Sequence, residues 1–286
     1  MLVTMKEILD RAKEGNYAVP APNVIYEPET RAILELAEEL NSPVILDVFP
    51  GFSRTIPELA RESSVPVAVN LDHGGPFEDI IKAMVNGASS VMIDRSMLPF
   101  EGNVAQVSEI VRYAHAAGLS VEAELGHVGQ GFQYEIDGKT ALTDPEEAVE
   151  YVRQTGVDAL AIAIGTAHGT YSGTPYIHFD LLEKINSEVD VPLVLHGGSG
   201  TGFENITKAC KMGINKVNIN TDLLNGAMAE LKETVETGRK STIYADISNG
   251  YKKVLRKYME ACGSIGKTWQ PENKGVSATK SNLSPR

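Results

Sequence analysis

The strongest constraint on this chain is an alternation, kept up through most of its length, of short apolar runs with helix-period segments. The runs occupy residues 17–23, 43–49, 66–71, 90–94, 120–125, 159–165, 192–196 and 216–220. They are nearly continuous rather than strictly alternating, as strands buried on both faces of a parallel sheet are. The segment 76–86 is the clearest intervening helix, with Phe77, Ile80, Ile81, Met84 and Val85 on one apolar stripe. Pro76 suits its first turn and Gly87 the left-handed position after its last. Segments 28–40 and 144–155 repeat the plan, with acids in the first turn where the helix dipole favours them. Eight such units predict a (β/α)8 barrel, and a doubly wound open sheet would rarely need eight so even. Residues 4–15 read as an extra helix ahead of the first strand, with Thr4 and Glu7 as a capping box. Two more helices follow Thr221 and end near Ala261. Residues 1–262 thus form one domain, and the apolar-poor residues 263–286 read as a flexible tail.

The net charge of −12 argues against nucleic acid and anionic membranes as partners, since both need a basic surface. It leaves room for a small phosphorylated substrate held by backbone amides and a metal ion. Cys210 and Cys262 form no C-x-x-C pair and sit in helical stretches, so they read as buried or semi-buried thiols in a reducing cytoplasm. No apolar run reaches about 18 residues, so no membrane span is expected.

Three histidines share one context. His73, His168 and His196 each follow an apolar run and precede glycine, in N-L-D-H-G-G, G-T-A-H-G-T and V-L-H-G-G-S-G. In a parallel barrel that context puts all three on the face where βα loops build active sites. Three imidazoles converging there, with a position left open, make a catalytic zinc site. Asp72, next to His73, would orient the imidazole or exchange protons with substrate. Glu122 and Glu124 share one face of the fifth strand, and Asp94 ends the fourth. Buried carboxylates need partners, so Asp94 with Glu124 either binds a second divalent ion or belongs to a hydrogen-bonded network holding the histidines. Gly197, Gly198 and Ser199 after the seventh run, with Asn218, Ile219, Asn220 and Thr221 ending the eighth, make two adjacent donor-rich loops suited to phosphate. Residues 126–143 form a long glycine-rich loop of the lid type, whose acids Glu135 and Asp137 are either a delivered base or solvated charges.

Together these residues resemble the class II, zinc-dependent ketose-bisphosphate aldolases, a family including fructose- and tagatose-bisphosphate aldolases. The likeness runs from Val3 to about Lys267 through S-P-V-I-L, L-D-H-G, S-V-M-I-D, V-E-A-E-L-G, A-I-G-T-A-H-G, P-L-V-L-H-G-G-S-G and K-V-N-I-N-T-D. The resemblance implies zinc on His73, His168 and His196, with Asp72 as acid/base at the aldehyde oxygen. It links Asp94 and Glu124 to a second divalent or a monovalent cation. Gly169, residues 197–199 and residues 218–221 match the segments that hold dihydroxyacetone phosphate, and Asn23 matches a substrate-contacting asparagine. Arg239 resembles an arginine that reaches a substrate phosphate across a subunit interface, which implies a homodimer or homotetramer. Glu135 is the lid acid expected to move the proton at the carbanion carbon. The expected activity is reversible cleavage of a ketose 1-phosphate or bisphosphate. A zinc hydrolase or epimerase, or a non-catalytic aldolase partner, are the alternatives.

The chain departs from the family pattern at Phe49, where serine is usual, at Arg95, where a small residue is usual, and at Ser172, where lysine is common. Arg95 reads as a new cation for a carboxylate or a displaced phosphate. These departures predict that fructose 1,6-bisphosphate is a poor substrate.

Overall fold

The computed structural model describes residues 1–130, 142–171 and 175–270. Eight strands close into a parallel barrel in sequence order, β1 pairing with both β2 and β8. They are β1 (Val19–Val24), β2 (Val44–Val48), β3 (Val67–Gly74), β4 (Ser90–Ile93), β5 (Ser120–Leu125), β6 (Ala159–Ile162), β7 (Leu193–Leu195) and β8 (Ile214–Ile219). The expected (β/α)8 architecture is therefore the one observed. The helices are α1 (Met5–Glu14), α2 (Glu27–Glu39), α3 (Thr55–Glu62), α4 (Phe77–Asn86), α5 (Phe100–Ala116), α6 (Pro145–Thr155), α7 (Phe179–Glu188), α8 (Phe203–Lys211), α9 (Thr221–Glu236) and α10 (Ile243–Cys262).

Side chains alternate between the two faces along each strand, and both faces are buried. The outward residues of β5, Val121, Ala123 and Leu125, join the apolar layer between barrel and helices, while Glu122 and Glu124 are also buried. A second, smaller apolar cluster fills the lower interior. Met5, Ile8, Leu9 and Ala12 of α1 plug the barrel there against Ile45, Ala68, Met92, Ala159 and Val194. Thr4 caps α1, its hydroxyl accepting from the Glu7 amide at 3.3 Å.

Strands β6 and β8 differ from the sequence expectation for local reasons. β8 starts at Ile214 because Ile214 pairs with Leu193. β6 stops at Ile162 because the Ala163 amide donates to Thr143 Oγ1 (2.8 Å) and its carbonyl accepts from the Thr143 amide (3.0 Å). The expected tail also begins later than composition suggests. Ser264 is fully buried against the Ser42 hydroxyl (2.8 Å), the Gly266 amide donates to Leu40, and Trp269 stacks under Arg11. Residues 271–286 lie outside the described residues. Cys210 and Cys262 are buried free thiols, and among the described residues no helix is long and apolar enough to cross a membrane.

Candidate functional site

The exits of β3, β6 and β7 bring His73, His168 and His196 into one cluster. His73 Nε2 lies 3.2 Å from His168 Nε2 and 3.1 Å from His196 Nδ1, and the last two atoms are 3.4 Å apart. On its other nitrogen each ring meets a pure acceptor. His73 Nδ1 faces Asp94 Oδ2 at 3.1 Å, His168 Nδ1 faces the Val128 carbonyl at 3.1 Å, and His196 Nε2 faces Glu122 Oε1 at 2.9 Å. Acceptors of this kind assign the ring protons to those outer nitrogens. With all three rings neutral, as metal ligation requires, the inner lone pairs converge on one point. Tetrahedral ligation at about 2.0–2.1 Å demands nitrogens roughly 3.3 Å apart, which these edges match. The donor set therefore fits a zinc-type cation.

The local backbone explains how Asp72 and His73 serve the same site. Consecutive strand residues point to opposite faces, but His73 has φ 46° and the β3–β4 register shifts between Leu71 and Gly74. A non-glycine residue there is strained by roughly 1–2 kcal/mol. The turn lets both side chains line the same cavity. Asp72 accepts from Asn23 Nδ2 at 2.8 Å and from Asn218 Nδ2 at 3.2 Å. Burial opposes its charge, yet His73, His196, Lys216 and the Asn23 bond together hold the carboxyl below its usual range. Asp72 thus stands in its basic form. Burial also opposes a charge on His73, but the Asp94 bond and the Asp72 and Glu124 carboxylates outweigh it and push the ring to about 9. Burial and the neighbouring imidazoles push His168 down to about 4.

Below the histidines lies a charged layer that the sequence reading did not assign. Lys216 Nζ, fully buried, is 2.7 Å from Glu122 Oε2 and 3.2 Å from Asp47 Oδ2. Burial disfavours its ammonium, but Asp47 and Glu122 more than restore it. Glu122 stays ionised between Lys216 and His196, whereas burial and the neighbouring acids drive Asp47 upward. Asp47 also accepts from Asn70 Nδ2 at 2.8 Å. The available signal was a lysine inside the run I-N-K-V-N-I, since a buried ammonium demands carboxylates.

A cavity of 220 Å³ opens over the cluster. Of the residues assigned to substrate, Asn23, Gly169, Gly197, Ser199, Asn218, Ile219, Asn220 and Thr221 line it, together with Phe49, Asp72, His73 and His168. Gly197 has φ 68°, and a Cβ there would sit 2.2 Å from the Ala167 carbonyl, so only glycine fits. Ser199 Oγ accepts from the Asn220 and Asp222 amides, both at 3.2 Å, which ties the β7 loop to the first turn of α9. That 16-residue helix has no side-chain bond from its N-cap, Asn220, and its N-terminus borders the cavity.

Three residues stand away from the cavity. Gly198 lies outside the lining and packs against β8, its amide donating to the Asn218 carbonyl at 3.0 Å. Arg239 does not reach the cavity of its own chain, because it faces Glu233 (3.4 Å) and Asp246 (3.9 Å) at the α9–α10 corner. Arg95 does not offer its guanidinium to a ligand, since backbone carbonyls and Gln106 already hold it. Glu135, Asp137 and Ser172 fall outside the described residues. Asp94 and Glu124 do come together with His73, their ligating atoms lying within 4.8 Å of one another. Glu124 Oε1 accepts from the Val128 amide at 2.9 Å, while its buried Oε2 has no hydrogen-bond partner.

Known proteins share this arrangement of sequence and fold. The family model described as fructose-bisphosphate aldolase class-II matches residues 3–267. A fructose-bisphosphate aldolase from Geobacillus stearothermophilus is 45% identical, over 77% of this chain and 81% of that protein. The YdjI aldolase from Escherichia coli K12 superposes with a TM-score of 0.85 at 33% identity, covering 94% of this chain and 100% of its own. A fructose-bisphosphate aldolase from Campylobacter jejuni, 22% identical over 93% of this chain and 97% of its own, has a TM-score of 0.81 and bears on the fold alone.

Proposed function

The chain belongs to the class II fructose-bisphosphate aldolase family, and from that premise we propose a zinc-dependent aldol lyase. It would reversibly cleave a ketose 1-phosphate or bisphosphate to dihydroxyacetone phosphate and an aldehyde. The observation that carries this reading is the triangle of imidazole nitrogens at 3.1–3.4 Å, each ring anchored from behind, beside an ionised Asp72.

His73, His168 and His196 would hold the zinc, which when bound supplies Lewis acidity at the ketone oxygen. The remaining chemistry falls to the chain. Asp72 takes the proton from the hydroxyl on the cleaving carbon, with Asn23 and Asn218 fixing the direction of its two oxygens. In condensation it returns that proton. The glycine-bearing β6 and β7 loops and the N-terminus of α9 receive the phosphate of the dihydroxyacetone phosphate part. Glu135 is assigned the proton at the carbanion carbon. Asp94 orients His73 through Nδ1, and zinc stoichiometry separates that role from a second cation shared with Glu124.

The aldehyde end is the distinctive part. Among the described residues lining the cavity there is no lysine or arginine, and Phe49 stands at its mouth, 39% exposed. The donor-rich phosphate loops and, among the described residues, a lining without lysine or arginine favour a ketose phosphate other than fructose 1,6-bisphosphate. We further assign the protein to the cytoplasm and to a homodimer or homotetramer, with residues 1–262 as the catalytic domain. Incubation with dihydroxyacetone phosphate and a panel of aldehydes tests the reading. Metal-dependent condensation supports it, and its absence for every aldehyde rejects it. A kcat/KM above about 10⁵ M⁻¹s⁻¹ on fructose 1,6-bisphosphate would overturn the claim about the far end.

A further inference from the structure

We propose that Arg95 is a positioning residue of the metal centre, its guanidinium clamping the β3 exit so that His73 keeps its left-handed turn and its bond to Asp94. The proposal rests on the zinc reading above. His73 is held at φ 46° where the β3–β4 register shifts, and the Gly74 and Gly75 that follow add no side chain to brace the turn. Arg95 supplies the missing restraint. Its Nη1 donates to the carbonyls of Gly74 (3.3 Å) and Asp94 (2.7 Å), and its Nη2 donates to the Gly75 carbonyl. Its Nε donates to Gln106 Oε1 on α5. One planar group therefore joins the two residues after His73, the backbone of the residue whose carboxylate holds His73, and a packed helix.

The chemistry needs arginine. Three carbonyl oxygens and a side-chain amide oxygen held by one group match a rigid fork of five N–H donors, whereas a lysine ammonium reaches as a point charge and cannot span them. The same bonds take the guanidinium away from substrate, and Arg95 is absent from the cavity lining. A restraint one layer behind a metal ligand acts on metal affinity, and loss of such a partner typically lowers affinity about 10–100-fold. A substrate-binding cation would instead act on KM.

The test is zinc affinity by competition with a chromophoric chelator, paired with steady-state kinetics at saturating zinc. Arg95→Gln should weaken zinc binding about 10–100-fold while leaving KM for the ketose phosphate unchanged. Arg95→Lys should fail to restore the affinity. Gln106→Leu, which removes only the Nε partner, should show a smaller loss of the same kind, and it carries the test if Arg95→Gln does not fold. Parental zinc affinity in Arg95→Gln overturns the proposal, as does a raised KM with zinc binding intact. A parent protein that binds no zinc removes the zinc reading itself, and that result comes from the parent alone.

Discussion

The lower and upper halves of the barrel interior solve the same packing problem in opposite ways. At the bottom, α1 closes the barrel with Met5, Ile8 and Leu9 against Ile45, Met92 and Val194, an apolar fill without a charge. At the top the interior is Asp47, Lys216, Glu122, His196, Asp72 and His73, where every charge depends on a neighbour. A buried charge left alone is expensive, so the upper half holds only while its members remain together. Mutation in the lower half should therefore cost stability alone, whereas mutation in the upper half should also cost metal binding and chemistry.

The largest effect expected from that contrast is at His196. His196→Ala removes one corner of the nitrogen triangle and leaves Glu122 without its ring partner. Metal analysis should find near-complete loss of zinc together with activity, and full occupancy in the variant would break the upper-half account. Asp72 comes next. Asp72→Ala should keep zinc but lose about 10²–10⁴-fold in cleavage rate, and a rate within a few-fold of the parent would make Asp72 structural only. Removal of the charge at Lys216 leaves two carboxylates without their ammonium. Lys216→Met should destabilise the fold by about 3–5 kcal/mol and weaken zinc binding as well. Ile45→Ala in the lower half should lose a comparable 2–5 kcal/mol, approximately, yet keep the parental zinc affinity. Denaturant unfolding with zinc titration compares the two, and equal effects on zinc would erase the distinction between the halves.

The smallest effect is in pH. In the metal-free protein His73 binds its proton with a value near 9, and His168 is near 4. Zinc must displace the His73 proton below pH 9, so its affinity should rise about tenfold per pH unit from pH 6 to 8 and level off above 9. His168, already neutral there, adds nothing to that slope. A zinc Kd independent of pH over this range would contradict the protonation of His73.

The fold was legible because βα alternation has a period that local sequence carries, and eight repeats leave little choice of architecture. The histidines were legible for a related reason, as each repeats the same strand-end context. Contacts made across the barrel were not. Glu122 and Lys216 lie on different strands, and no spacing within either strand says that they meet or that Glu122 holds His196. The positive φ of His73 is a property of the β3–β4 register, so the sequence suggested a turn without its geometry. Arg95 was read toward a ligand of its own chain and Arg239 toward a phosphate across a subunit interface, because a guanidinium in sequence has reach but no direction. In the fold one turns back onto carbonyls and the other meets acids at a helix corner. The apolar-poor segment after α10 was read as loose, although Ser264 and Trp269 each find a specific partner at the barrel floor.

X-ray absorption at the zinc edge of the purified protein tests the central claim most directly. Three imidazole nitrogens at about 2.0–2.1 Å, one ion per chain, are the expected result. A shell dominated by carboxylate oxygens, or a protein that retains no zinc, would contradict it.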